Sequence, residues 1–280
     1  MSSTIRLGIS TCPNDTFAFH GLMNGRVNLR GLKFEVELLD IQELNQRILD
    51  GQFDVAKASF ALAHQVSDSW VVLPSGSALG FGVGPLLLAS KTDTRPENEN
   101  QTTLCPGQHT TATMLFKMFY GQTKIEQTVF SDVMPRLQNG KADFGVCIHE
   151  GRFTYAESGL FLVEDLGTRW EQQTECPLPL GGILARRKLG NELIGQVQSV
   201  VQSSIEYGLQ NREETFQTMR QYAQEFDDDV LMKHVDLYVN EWTVELGEVG
   251  SAALEKMSQL CNETNSNESK GSIEVFSSIC

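Results

Sequence analysis

The chain has 280 residues, 40% of them hydrophobic and 21% charged, with 36 acidic against 22 basic side chains and a formal charge of −14. That length fits one large domain or two of ordinary size, and no apolar run approaches the ~18 residues a membrane span needs. So acidic a surface repels phosphodiester backbones and excludes a nucleic-acid partner, and an anion must be bound locally, by backbone N–H groups and a few placed donors.

The opening residues lead directly into an apolar strand, Ile5 to Ile9, without the basic and apolar segments of an export signal, so a cytoplasmic protein is expected. A turn follows at Ser10 to Asp15, containing Cys12-Pro13, and Thr16 to Met23 reads as a helix. Asp40 is placed to cap a further helix with Glu43 at its third position. Ile41, Leu44, Ile48 and Leu49 share one face of that helix and Gly51 stops it. Phe53 to Ala56 then starts a strand that runs toward Lys57-Ala58-Ser59, and Phe60 to Ala63 begins an apolar helix holding His64. The run Gly80-Phe81-Gly82-Val83-Gly84 lacks G-x-G-x-x-G spacing and reads as a flexible lead into a hinge.

The pattern then repeats. Thr102 to Cys105 is a strand, Pro106 to His109 a turn, and Thr110 to Phe119 a helix; Val133 and Leu137 mark a second helix that Gly140 stops, and Asp143 to Val146 starts a strand. An Arg-x-x-x-Gly-x-x-Asp skeleton recurs as Arg47, Gly51, Asp54 and as Arg136, Gly140, Asp143. Alternating strands and helices predict parallel-rich sheets, and two repeats predict two α/β lobes. The similar apolar runs Gly84 to Lys91 and Leu180 to Arg187 are expected to be paired hinge strands, giving lobe one as 1–91 plus 181–280 and lobe two as 92–180. Beyond the second run the chain is helical. Leu193, Val197, Val200, Val201, Ile205 and Leu209 form one stripe; Phe216, Met219 and Tyr222 predict a second helix; Val230, Val235, Tyr238 and Val239 a third, begun by Asp227 to Asp229. Asn262 to Ser272 reads as loop or disordered, and Ile273 to Phe276 is expected to dock back as a short strand.

None of the six cysteines forms a C-x-x-C pair, so zinc and thioredoxin-type sites lack support and thiols in a reducing compartment are expected. In open α/β sheets ligands bind beyond the carboxyl ends of strands. Four such ends qualify: Ser10 to Asp15, Ala58-Ser59, Pro106 to Thr111, and Cys147 to Glu150. The helix start at Gln108 to Thr111 suits a carboxylate, with Thr110 and Thr111 as hydroxyl donors or simple caps, and His109 placed to contact a ligand. His149 ends a strand before a polar turn, and a histidine is the residue type best suited to proton abstraction near neutral pH. His20 and His234 read as packing or surface residues, His64 as structural, and Asp15 as a cap or a site residue.

The segments Ser10-Thr11-Cys12-Pro13-Asn14-Asp15-Thr16-Phe17, Pro74 to Gly80, Pro106 to Ala112, Ile148 to Tyr155 and Pro177 to Gly182 resemble the 1,4-dihydroxy-6-naphthoate synthases of the futalosine route to menaquinone. The resemblance runs over about residues 5–250 and leaves the tail uncovered. It implies a periplasmic-binding-protein-like type II fold with a central ligand cleft, used as an enzyme. The implied reaction is a carbon–carbon lyase step from cyclic dehypoxanthine futalosine to 1,4-dihydroxy-6-naphthoate and dihydroxyacetone, with no metal or organic cofactor and with a small carboxylate substrate as the partner. It carries the catalytic base onto His149, and substrate contacts onto Lys57, Ser59, Thr111 and Ala112, to which Ala58, Thr110, Asn14 and Asp15 are added as neighbours in the same motifs. One position departs: Gly151 stands where a serine is expected, which should loosen the turn after His149. Chorismate dehydratase, and a non-enzymatic small-anion binder of the same fold, are the competing readings.

Overall fold

The computed structural model describes residues 4–149, 151–222, 227–264 and 271–277. Strand β1 (Thr4–Ser10) is followed by helices α1 (Pro13–Ala18) and α2 (His20–Met23), strand β2 (Lys33–Leu39), helix α3 (Ile41–Leu49) and strand β3 (Val55–Ser59). The expected first helix begins three residues earlier than its Thr16 and breaks at Phe19, because Pro13 at the first helical position brings a preset φ and needs no N–H partner. After α4 (Phe60–Gln65), the strands β4 (Trp70–Val72), β5 (Ala78–Gly80) and β6 (Leu86–Ala89) lead to the second unit. That unit is β7 (Thr102–Cys105), α5 (Thr111–Tyr120), β8 (Lys124–Gln127), α6 (Phe130–Gln138), β9 (Phe144–Cys147), the short α7 (Gly151–Thr154), β10 (Phe161–Asp165) and α8 (Leu166–Thr174). Strand β11 (Leu178–Arg186) returns to the first unit. Helices α9 (Asn191–Gln210), α10 (Arg212–Tyr222), α11 (Asp228–Tyr238), α12 (Glu241–Val244) and α13 (Gly247–Thr264) complete the chain.

Two sheets result, one ordered β2-β1-β3-β11-β4 with β5 against β11, the other ordered β10-β6-β9-β7-β8. The repeat is built atom for atom. Asp54 Oδ2 accepts from Arg6 N at 3.1 Å while Asp54 N donates to Arg6 O at 3.0 Å. Asp143 Oδ2 accepts from Thr102 N at 2.8 Å while Asp143 N donates to Thr102 O at 3.0 Å. Each aspartate thus clamps the start of its own strand to the start of the central parallel strand. Arg47 reaches Glu37 on β2, and Arg136 reaches Glu126 on β8. Gly51 (φ +74°) and Gly140 (φ +65°) end the preceding helices in the left-handed region, where a side chain is strained.

The predicted stripe on α9 is buried: Val197, Val200, Val201 and Ile205 pack with Ile5, Leu7 and Ile9 beneath the first sheet. Of the two expected hinge runs, Gly84 to Lys91 contains β6, which pairs with β10 and β9 in the second sheet, and Leu180 to Arg187 lies in β11 of the first. The chain passes between sheets at Gly84-Pro85 and again beyond α8. The first crossing packs against the start of α8: a Cβ on Gly84 would collide with the backbone of Gly167, and Leu166 N donates to Pro85 O at 3.0 Å. Asp165 caps α8 through Gly167 N (2.9 Å) and Thr168 N (3.1 Å), and Arg152 ties that carboxylate (2.8 Å) to the carbonyl of Gly84. The expected tail strand docks as a parallel bridge of Val275 with Val72. Of the expected loop Asn262 to Ser272, residues 265–270 lie outside the described residues, as do Glu150 and Cys280, while α13 runs on to Thr264. Among the described residues no helix is long and apolar enough to cross a membrane.

Candidate active site

The carboxyl ends of β1, β3, β7 and β9 converge on a cleft of about 670 Å³ including its open mouth. Asn14, Asp15, Lys57, Ser59, Thr110, Thr111, Ala112 and His149 all line it. Ala58 does not: it is fully buried in β3 opposite Gly182, where strand alternation turns its side chain into the core between two site residues. His109 is not a lining residue either, because its ring turns away to Gln65 Oε1 at 3.2 Å.

On the β7 side the cleft meets the start of α5. Thr110 is the cap, its Oγ1 accepting from Thr113 N at 3.2 Å and donating to Gly107 O at 2.8 Å. Thr111 Oγ1 donates to Leu180 O at 2.7 Å. Both hydroxyls are therefore committed to carbonyls of the protein, which corrects the expectation that they donate to a ligand. What this helix start offers a carboxylate is the N–H groups of Thr111 and Ala112, which belong to the first turn and lack helical acceptors. Ser59 adds to them. Asn45 holds it from two sides, taking Ser59 N on Oδ1 and giving Nδ2 to Ser59 Oγ, both at 3.1 Å, which leaves the hydroxyl hydrogen to donate.

On the β1 side lies a buried polar network. Lys57 Nζ donates to Asp15 Oδ1 at 2.8 Å and to Gly76 O at 3.2 Å; Ser10 Oγ donates to Asp15 Oδ2 at 2.6 Å; Asn14 Nδ2 donates to Asp15 Oδ1 at 3.1 Å. Asn14 Oδ1 meets His234 Nε2 at 3.0 Å. Asp15 sits in the first turn of α1, yet its side chain serves this network and makes no cap bond.

His149 stands where β9 ends, with a left-handed backbone (φ +57°) that a non-glycine residue adopts at a cost of about 1–3 kcal/mol, and such strain gathers at functional sites. Its Nδ1 lies 3.2 Å from Cys12 Sγ, its ring is met edge-on by Phe130 at 4.7 Å, and the ring of His234 stacks on it at 6.2 Å. Gly151, which was expected only to loosen this turn, is also closely packed: a Cβ there would lie 2.4 Å from Cys147 Sγ and 3.0 Å from Met134 Sδ, so those side chains would have to shift. Gly151→Ser is expected to destabilise the fold by about 1–3 kcal/mol, and adding Cys147→Ala should make the pair less costly than the sum of the two. Thermal unfolding of the three variants checks this, and a Gly151→Ser protein as stable as the parent would refute it. Elsewhere burial pushes the Cys105 thiol up to about 12 and Cys261 up to about 11, so neither is a nucleophile at neutral pH.

Sequence reasoning missed three lining or supporting residues. Asn45 is a fully buried polar residue on the apolar stripe of α3, between Leu44 and Ile48. His234 and Tyr238 belong to the buried face of α11 and line the cleft. Their signal was there: a polar residue at helical spacing inside an apolar stripe.

The chain is similar to known proteins over most of its length. Residues 5–263 match the family model described as menaquinone biosynthesis. A 1,4-dihydroxy-6-naphthoate synthase of Thermus thermophilus is 41% identical over 253 residues, covering 90% of this chain and 92% of that protein. One of Streptomyces coelicolor is 38% identical over 259 residues, covering 90% and 91%. Among solved structures, a protein of Archaeoglobus fulgidus superposes with a TM-score of 0.89 at 27% identity, covering 94% of this chain and 98% of that one. The ligand-binding component of an ABC-type import system from Staphylococcus aureus superposes at 0.69 with 11% identity, covering 96% and 94%, which shows the shared two-lobed binding-protein fold.

Proposed function

The chain belongs to the menaquinone biosynthesis family, and on that premise we propose that this enzyme is a cytoplasmic carbon–carbon lyase that converts cyclic dehypoxanthine futalosine to 1,4-dihydroxy-6-naphthoate and dihydroxyacetone. The observation that carries the reading is the meeting of a cleft-lining imidazole with a set of unengaged amide donors in one pocket. The ring acid's carboxylate is taken by the N–H groups of Thr111 and Ala112 and the hydroxyl of Ser59. His149 on the β9 side then removes the proton that starts cleavage, and aromatisation of the ring draws the reaction forward. Lys57, Asp15 and Asn14 shape the wall beside the ring, and the His149–Cys12 contact fixes the imidazole's plane.

Purified protein incubated with cyclic dehypoxanthine futalosine should release dihydroxynaphthoate, followed by chromatography. Turnover of chorismate in its place would make the protein a dehydratase, and tight binding without turnover a solute binder. Thr111→Val is expected to raise KM by about three- to ten-fold with a smaller fall in kcat, because the lost bond to Leu180 O shifts the amide donors and leaves the base in place. An unchanged KM would remove the carboxylate from this helix start.

A further inference from the structure

His234 belongs to no motif of the sequence reading, yet it lines the cleft and is fully buried. Its surroundings fix which nitrogen carries the hydrogen. Asp15 is an acceptor paired to Lys57 at 2.8 Å, so Asn14 must turn its NH₂ toward that carboxylate, at 3.1 Å. The amide oxygen of Asn14 then faces His234 Nε2 at 3.0 Å, and Nε2 must donate. The imidazole is neutral, since burial, reinforced by His149, holds it well below the usual histidine range. Its Nδ1 is therefore a bare lone pair, and among the described residues no donor reaches it. The groups around the ring are Asn14, with Asp15 behind it, Tyr238 at 4.5 Å between ring centroids, and His149 at 6.2 Å. A buried acceptor without a donor is costly, and on a ring that lines the cleft it is an acceptor a bound ligand can satisfy.

We propose that His234 Nδ1 accepts a hydrogen bond from a hydroxyl of the bound substrate, making His234 a second imidazole of the site that binds where His149 abstracts. Asn14 and Asp15 act on it as positioning residues, because they set its tautomer. The proposal rests on the lyase reading, whose product carries two ring hydroxyls.

The test compares two carboxylates, 1,4-dihydroxy-6-naphthoate kept anaerobic and the hydroxyl-free 2-naphthoate, by Kd. The parent protein should prefer the dihydroxy acid by about ten-fold, the scale of one well-placed buried hydrogen bond. His234→Gln keeps a donor toward Asn14 but lacks the Nδ1 acceptor, and its preference should fall to about two-fold or less. His234→Asn places an amide oxygen near the Nδ1 position while losing the bond to Asn14, and should keep most of the preference. Folded His234→Gln with the parent's preference, or folded His234→Asn without it, overturns the assignment of Nδ1 while leaving the lyase reading intact. A parent protein that binds neither acid overturns both together.

Discussion

His149→Asn and His149→Ala should fold as the parent does and lose ~10²–10⁴ of kcat on cyclic dehypoxanthine futalosine, with KM little changed. The separation of the two constants follows from the layout. The carboxylate donors belong to the start of α5 and to Ser59, while the imidazole stands beyond β9, so removing it leaves the binding donors in place. Asparagine is the better probe, because the site's backbone is left-handed at φ +57° and asparagine adopts that region more readily than alanine. Alanine adds a further loss, the edge-on contact with Phe130 and the contact with Cys12 Sγ, so it should also be the less stable of the two. Steady-state kinetics with thermal unfolding on both variants makes the check. A folded His149→Asn enzyme with near-parental kcat would move the base elsewhere, and the neighbouring Cys12 thiol would be the next group to remove.

The fold was legible because its repeat is written in residues that do local structural work. Gly51 and Gly140 stop helices in a conformation other residues resist, and Asp54 and Asp143 clamp parallel strands by the same pair of backbone bonds. Such residues leave a pattern in one chain. The strand-end rule then located the cleft, and the residues read from those ends came together, apart from Ala58 and His109. What stayed hidden depends on distance in sequence. Asn14 and His234 meet from 220 positions apart, and no spacing rule links them. The close approach of Gly84 and Gly167 is equally invisible in the chain, since each glycine is explained by the backbone of the other. Helix bounds failed where a single residue outweighed periodicity, as Pro13 did by starting α1 ahead of Thr16. The threonine hydroxyls were misjudged because a capping side chain and a ligand donor look alike until their acceptors, Gly107 O and Leu180 O, are seen.

Lys57→Met is expected to cost about 3–5 kcal/mol of folding stability, the largest stability effect of any substitution in the site. Lys57 and Asp15 are 5% and 3% exposed, so neither charge is solvated, and each is tolerated only because the other stands 2.8 Å away. Methionine fills the lysine's volume without its charge. The carboxylate is then left with Ser10 Oγ at 2.6 Å and Asn14 Nδ2 at 3.1 Å, two neutral donors in place of an ammonium. Removing both charges, as Lys57→Met with Asp15→Asn, should recover most of the loss, since a buried pair replaced as a unit leaves no unpaired ion. The double variant should nevertheless turn over poorly. An asparagine at position 15 no longer obliges Asn14 to present its NH₂, so the orientation of Asn14, and with it the hydrogen on His234 Nε2, is set loose. Urea unfolding of the single and double variants beside their kinetics tests both halves. Equal stability of Lys57→Met and the parent would mean the pair is solvated, and a fully active double variant would mean the network serves only the fold.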